Sequence, residues 1–290
     1  MSNPPIPPEI LDHIVDDLYD EPDALRNCCL VAKSWIPRTR KHLFADIKFS
    51  SPERLQSWKT TFPDPSNSPA YHVHTLSVGC LRVVTAADAG EGGWIQTFSR
   101  VVRLDVDSGV HGSEFSPALF RGFSPVLKSL RVASGTLSLS QIFGFVRSLP
   151  LLEDLSLVIH GTPSDNDLSA HGAPTVIPPP SSPPFTGSLK LMLLRGAELA
   201  VRRLLDLPNG LHFQHMTLSW FQEEEVQWIN ALVVECSGTL ESLDVCCCHH
   251  LAGAIVQPLR RNGWLNSVCR WFDAVFNRPL KSNETQRCTV

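Results

Sequence analysis

The one run in this chain whose residue types suggest metal chemistry is Cys246-Cys247-Cys248-His249-His250. Thiolates and imidazoles are zinc ligands, but a structural zinc site draws them in pairs separated by two to four residues so that both reach one ion. On a strand, adjacent side chains point to opposite faces. Only Cys246 and Cys248 would then converge, and His249 or His250 would have to bend back. The run reads as small buried side chains at a strand end, and neither a metal nor a cofactor is expected. Glu223-Glu224-Glu225 fills the first turn of a helix holding Val226 and Trp228, where the helix dipole favours negative charge. Serine, histidine and aspartate occur without a Gly-x-Ser-x-Gly elbow, a Gly-rich phosphate loop or a His-Glu-x-x-His pair, so no catalysis by this chain is expected. What remains for it is binding.

Composition bounds the kind of binding. The 290 residues are 43% hydrophobic, enough for a substantial core. A formal net charge of −4 and a pI near 6.2 provide no basic field for nucleic acid. Glu9, Asp12, Asp16 and Asp17 stand where a signal peptide would need basic and apolar residues, and no run approaches the roughly 18 apolar residues of a membrane span. Nine cysteines, an odd number with neighbours at Cys28-Cys29, fit a reducing compartment, cytosol or nucleus, better than a disulfide framework.

The elements begin with three short helical runs. After Pro7-Pro8, Ile10, Leu11, Ile14 and Leu18 share one face at a period of 3.6. Asp20, Glu21, Pro22 and Asp23 open a second helix carrying Leu25 and Cys28. A third run from Leu30 places Val31 and Trp35 four residues apart on one helix, which Pro37 kinks or restarts. Under about 50 residues cannot bury enough surface to offset their chain entropy, so some of these side chains must meet another surface.

This stretch, from Ile6 to Phe49, resembles the F-box: Ile6-Pro7-Pro8-Glu9-Ile10-Leu11, then Leu25, then Leu30-Val31-Ala32-Lys33-Ser34-Trp35, Arg40 and Leu43-Phe44. Ile6 replaces the usual leading Leu, and Ala32 stands where Cys is common. The form Cys-Leu-Val-Ala-Lys-Ser-Trp is similar to the F-box proteins of mushroom-forming fungi. The resemblance implies docking to the Skp-type adaptor of a cullin-RING ubiquitin ligase, with Ile6, Pro7, Ile10, Leu11, Ile14, Leu18, Leu25, Leu30, Val31 and Trp35 forming that interface or its immediate support. A helix-turn-helix with Lys33, Arg38, Arg40 and Lys41 on phosphates is the competing use of the same helices, and it lacks the charge.

Downstream, a quartet of polar, aliphatic, polar, aliphatic residues recurs eight times, from Asp46-Ile47-Lys48-Phe49 and Thr75-Leu76-Ser77-Val78 to His215-Met216-Thr217-Leu218 and Ser242-Leu243-Asp244-Val245. With the sixth quartet placed at Lys190-Leu191-Met192-Leu193, the first aliphatic residues are separated by 29, 28, 26, 25, 36, 25 and 27. Such a period marks a solenoid close to the leucine-rich repeat, each unit one strand and one helix. Helical spacing recurs between the strands at Trp94, Ile95 and Phe98, at Phe115 to Phe123, at Ile142 to Leu149 and at Val226 to Val233, and Ser50 with Glu53 makes a capping box ahead of Leu55, Trp58 and Phe62. The usual Asn after the strand is absent; Gly79, Asp107 and Ala133 stand near its place.

The expected fold is therefore α/β: a three-helix F-box at 1–45, a leucine-rich-repeat-like solenoid at 46–250 with a parallel sheet lining its concave face, a helical cap at 251–280 and a disordered tail at 281–290. The Pro- and Ser-rich stretch 160–187 reads as a loop off one edge. Leu251 to Leu259 and Val268 to Phe276 form the cap, unless the chain is a fragment or altered reading of a longer one. The expected function is a non-catalytic substrate receptor, with Ser77, Asp105, Arg131, Ser156 and Thr217 on the outward sheet face toward a target protein. Alternatively, a scaffold without ligase coupling uses the helices as its own cap.

Overall fold

The structure, a computed structural model, describes residues 7–79, 94–107, 123, 125–134, 139–159, 185–193, 197–207, 210–219 and 225–246. Its centre is one sheet of eight strands: β1 Asp46–Phe49, β2 Thr75–Val78, β3 Arg103–Asp107, β4 Ser129–Ser134, β5 Asp154–Ile159, β6 Ser188–Leu193, β7 His215–Ser219 and β8 Ser242–Cys246. The strands lie in sequence order and every neighbouring pair is parallel. Parallel neighbours require a crossover between them, which the intervals of 25 residues and more supply.

Two rows of apolar side chains run across the sheet on its inner face. Leu76, Leu104, Leu130, Leu155, Leu189, Met216 and Leu243 make one row, and Phe49, Val78, Val106, Val132, Leu157, Leu191, Leu218 and Val245 the other, all buried. Burying each contributes about 1.5–3 kcal/mol relative to leaving it in water. The same core takes the inward faces of the crossover helices α4 Pro52–Thr61, α5 Leu139–Val146, α6 Ala197–Leu205 and α7 Val226–Glu235, through residues such as Leu55, Phe143, Val201 and Leu232. Helices α5, α6 and α7 pack in sequence, and Arg202 of α6 lies 4.4 Å from the centre of the Trp228 ring on α7.

The register corrects the sixth quartet. Leu155 pairs with Leu189 and Leu157 with Leu191, so the unit is Ser188-Leu189-Lys190-Leu191 and lies two residues earlier than the quartet chosen from the sequence. Alternation continues from Leu189 to Leu193, and a period of two cannot separate frames two residues apart. The frame is set by Asp154, whose Oδ1 accepts from the Ser188 N–H and hydroxyl, both at 2.7 Å. Gly187 permits that approach, since a Cβ there would lie 2.5 Å from Asp154 Oδ1 and 2.9 Å from the Glu153 carbonyl oxygen. Gly187→Ala is expected to destabilise the protein by about 1–3 kcal/mol, measured as a lower urea midpoint at unchanged m-value.

Three local expectations also change. Trp94–Thr97 is a single 3-10 turn where the spacing predicted a helix, closed by the Phe98 N–H on the Ile95 carbonyl and the Thr97 hydroxyl on the Trp94 carbonyl. The N-cap position of α4 is held by Ser51, not Ser50, and without a side-chain cap hydrogen bond; its hydroxyl bonds instead to the Glu53 side chain, holding that carboxyl below its ordinary range. The third run divides: α2 Pro22–Val31 includes Leu30 and Val31 and stops at Ala32, which is extended at φ −151 and ψ 141. A 3-10 turn at Lys33–Trp35 follows, and α3 Ile36–Leu43 restarts with Pro37 in its first turn. Val31 and Trp35 therefore do not share a helix. Ile6, Phe115 to Phe120, most of the Pro-rich stretch, Cys247 to His250, and the expected cap and tail lie outside the described residues.

Candidate protein-interaction surfaces

The first surface is built on α1 Pro8–Asp17, α2 and α3. Helices α1 and α2 pack on α3, and α3 packs on the 3-10 turn Pro69–His72 that leads into β2. The apolar stripe of α1 divides. Val15, absent from the expected interface, is the buried centre at 1% exposure, with Leu11 and Leu18 half-buried beside it at i−4 and i+3. Ile10 and Ile14 face outward at 51% and 45%, and Leu30 and Val31 at the end of α2 stand at 85% and 68%. Tyr19, also unexpected, is 67% exposed. Leu25 is buried and Trp35 half-buried, so they support the surface from inside. Pro7 is exposed. An α1 with apolar residues on more than one side buries one face and leaves another in water, and that breadth was the available signal for Val15.

A polar hub holds these helices together. Asp16 of α1 accepts from Arg38 through both oxygens, Nε at 2.6 Å and Nη2 on the other oxygen, and its Oδ1 lies 2.7 Å from His42 Nε2. The Arg38 hydrogen bonds, opposed by partial burial and reinforced by His42, hold the Asp16 carboxyl far below the usual carboxylate range. Thr39, fully buried, donates to the Trp35 carbonyl at 2.8 Å and sits 2.9 Å from Cys29 Sγ. Because the carboxyl's folded pKa is depressed, its contribution is fully present above the ordinary value of about 3.9 and is lost as pH falls below it. Asp16→Asn is expected to cost about 1 kcal/mol at pH 7, discounted because the carboxylate is a third exposed, and to flatten the fall in urea midpoint between neutral pH and about pH 3.

The second surface is the outward face of the sheet. Ser77, Asp105, Arg131, Ser156 and Thr217, expected there from alternation, stand on one row across β2, β3, β4, β5 and β7. Lys48, Lys190 and Asp244 complete the row on β1, β6 and β8. Each is the third residue of its quartet, a position that equivalence between repeats marks once the sixth quartet is framed correctly. Ser77 donates to Asp105 at 3.4 Å. A pairing of Asp105 with Arg131, its neighbour in the ladder, does not form among the described residues.

Groups with other chemistry are accounted for structurally. Burial pushes the Cys236 thiol up to about 11, which leaves it protonated and unreactive. Cys28, Cys29 and Cys236 are free thiols. Among the described residues no cluster of three or more His, Cys, Asp or Glu side chains could hold a metal, and no helix is long and apolar enough to cross a membrane.

No family model matches the chain, and no solved structure does. Among curated proteins it is similar to F-box protein COS111 of Kluyveromyces lactis, at 28% identity over 120 residues. The match covers 41% of this chain and 15% of that protein.

Proposed function

We propose that this chain is the substrate-recognition subunit of a Skp-cullin-F-box type ubiquitin ligase. In this reading α1 to α3 are an F-box that binds the Skp-type adaptor, and the strands and helices from β1 onward form a leucine-rich-repeat-like solenoid whose sheet receives a target protein. The observation that carries it is the placement of apolar side chains: five of the eight large exposed ones among the described residues, Ile10, Ile14, Tyr19, Leu30 and Val31, fall within the first 31 residues. A helical unit with a satisfied polar hub and a buried Val15 still presents these groups to water, as expected of a docking surface without its partner. Similarity to an F-box protein over 41% of the chain points the same way.

The chain would act by proximity: the ligase's catalytic subunits modify a lysine that this subunit only positions. Ser77, Asp105, Arg131, Ser156 and Thr217 are its proposed target-facing residues. Free thiols at Cys28, Cys29 and Cys236 suit the cytosol or nucleus.

A scaffold whose helices cap its own sheet is the second reading, favoured by the packing of α3 on Pro69–His72 and by Phe44, just past α3, whose ring centre lies 5.9 Å from that of Trp58 on α4. Co-expression with a Skp-type adaptor separates the two. A stoichiometric complex in size exclusion is the expected result. A soluble, folded chain that elutes apart from the adaptor would make the helices a cap.

A further inference from the structure

We infer that the middle of the outward sheet face, on β4 to β7, binds a segment of the target protein that carries two carboxylates flanked by positive charge. This rests on the receptor reading and names the chemistry of what it would receive. Arg131 and Lys190 are exposed on one row, two strands apart, with half-buried Ser156 between them and Thr217 beyond. Neighbouring strands lie about 4.8 Å apart, so the two Cα atoms stand about 10 Å apart.

Several cations near carboxylates elsewhere in the fold are paired: Arg38 with Asp16, Lys128 with Glu153 at 2.7 Å, and Arg202 with Glu198 at 2.7 Å. Arg131 and Lys190 form no ion pair among the described residues, although Asp105 lies beside Arg131 in the ladder and instead accepts from Ser77. Two long, exposed cationic side chains thus stand on either side of a hydroxyl on one face of the sheet, without an ion pair among the described residues.

The ends of the row define the ligand further. Asp105 on β3 and Asp244 on β8 bracket the cations, so the order across the sheet is acid, cation, hydroxyl, cation, hydroxyl, acid. A uniformly acidic partner would meet repulsion at both ends, and a basic one at the centre. The complementary ligand has central acids and outer bases. In a polyproline II segment, residues i and i+3 share a side about 9 Å apart, which fits the separation of Arg131 and Lys190.

Two peptides of equal composition and net charge test this, Lys-Glu-Pro-Pro-Glu-Lys and Glu-Lys-Pro-Pro-Lys-Glu, each immobilised on a sensor and exposed to the full chain in the presence of the Skp-type adaptor. The wild type is expected to prefer the first by roughly fivefold or more, and to lose the preference at about 0.5 M salt. The Arg131→Glu, Lys190→Glu double variant is expected to reverse the order, while Lys48→Glu, on the same row but on β1, leaves it unchanged. Equal binding of both peptides by the wild type, or a preference that survives the double reversal, overturns the inference. Adaptor co-elution in the same samples reports separately on the receptor reading, because Arg131 and Lys190 lie on the sheet and not on α1 to α3.

Discussion

An Ile14→Asp, Leu30→Asp double variant is expected to lose the Skp-type adaptor in co-purification, by about a thousandfold in affinity, while unfolding at nearly the wild-type urea concentration. Ile14 and Leu30 are 45% and 85% exposed, so a carboxylate at either position stays hydrated in the free chain. The cost to the fold is then little more than the helix-propensity difference, under about 1 kcal/mol for each. In a complex the same positions would be desolvated. Two lost aliphatic contacts at about 1.5–3 kcal/mol each, with the desolvation of two carboxylates added, exceed the roughly 4 kcal/mol that a thousandfold requires.

The choice of positions matters. Leu11 and Trp35 belong to the same motif but are half-buried among the helices, so Leu11→Asp or Trp35→Ala would weaken folding as well as docking. Survival of the complex in the Ile14, Leu30 variant would remove these helices as the adaptor surface.

The second large effect lies where the helical unit meets the sheet. Phe98→Ala is expected to destabilise the protein by about 3–5 kcal/mol, the usual cost of truncating a buried phenylalanine. Phe98 is 1% exposed, and its ring centre lies 6.2 Å from Phe49 of β1, 6.1 Å from Trp58 of α4 and 5.7 Å from Trp94. Trp58 in turn meets Phe44 and Phe62. The six rings fill the space between β1, α4 and the Trp94–Thr97 turn, and a cavity there has no flexible side chain among them to collapse into it. Among the described residues the buried indole N–H of Trp58 has no hydrogen-bond acceptor, a cost that the surrounding ring contacts offset. A urea midpoint lowered to match, with tryptophan fluorescence reporting the same transition, is the expected observation. An unchanged midpoint would show that the aromatic cluster contributes little to stability.

How much of this was legible beforehand depended on the kind of signal. Eight strands could be read from eight quartets because alternation at period two is local, and each quartet carries it without help from its neighbours. Parallel order followed from the spacing, since strands that recur every 25 residues or more with a helical return between them are joined by crossovers and not by hairpins. The outward row from Ser77 to Thr217 followed from the same alternation. The frame of β6 did not, because frames at Leu189 and Leu191 satisfy the pattern equally, and Asp154 on another strand chooses between them through Ser188.

The helices divide in the same way. Their existence and apolar content lie in the chain's own periodicity, and so does the resemblance that the motif carries. Which apolar residues turn inward is a property of the neighbours: Val15 is buried and Ile14 exposed, although they are adjacent in sequence and both aliphatic. Asp16 reads as one of several acids on α1 until Arg38 and His42, more than twenty residues away, are folded against it. Sequence alone determined the strands, their order and the alternation of their faces, because these follow from backbone geometry within a few residues. Only the tertiary structure decided the register, the exposed half of the helical motif and which cations pair among the described residues, because each depends on how residues distant in the chain are brought together.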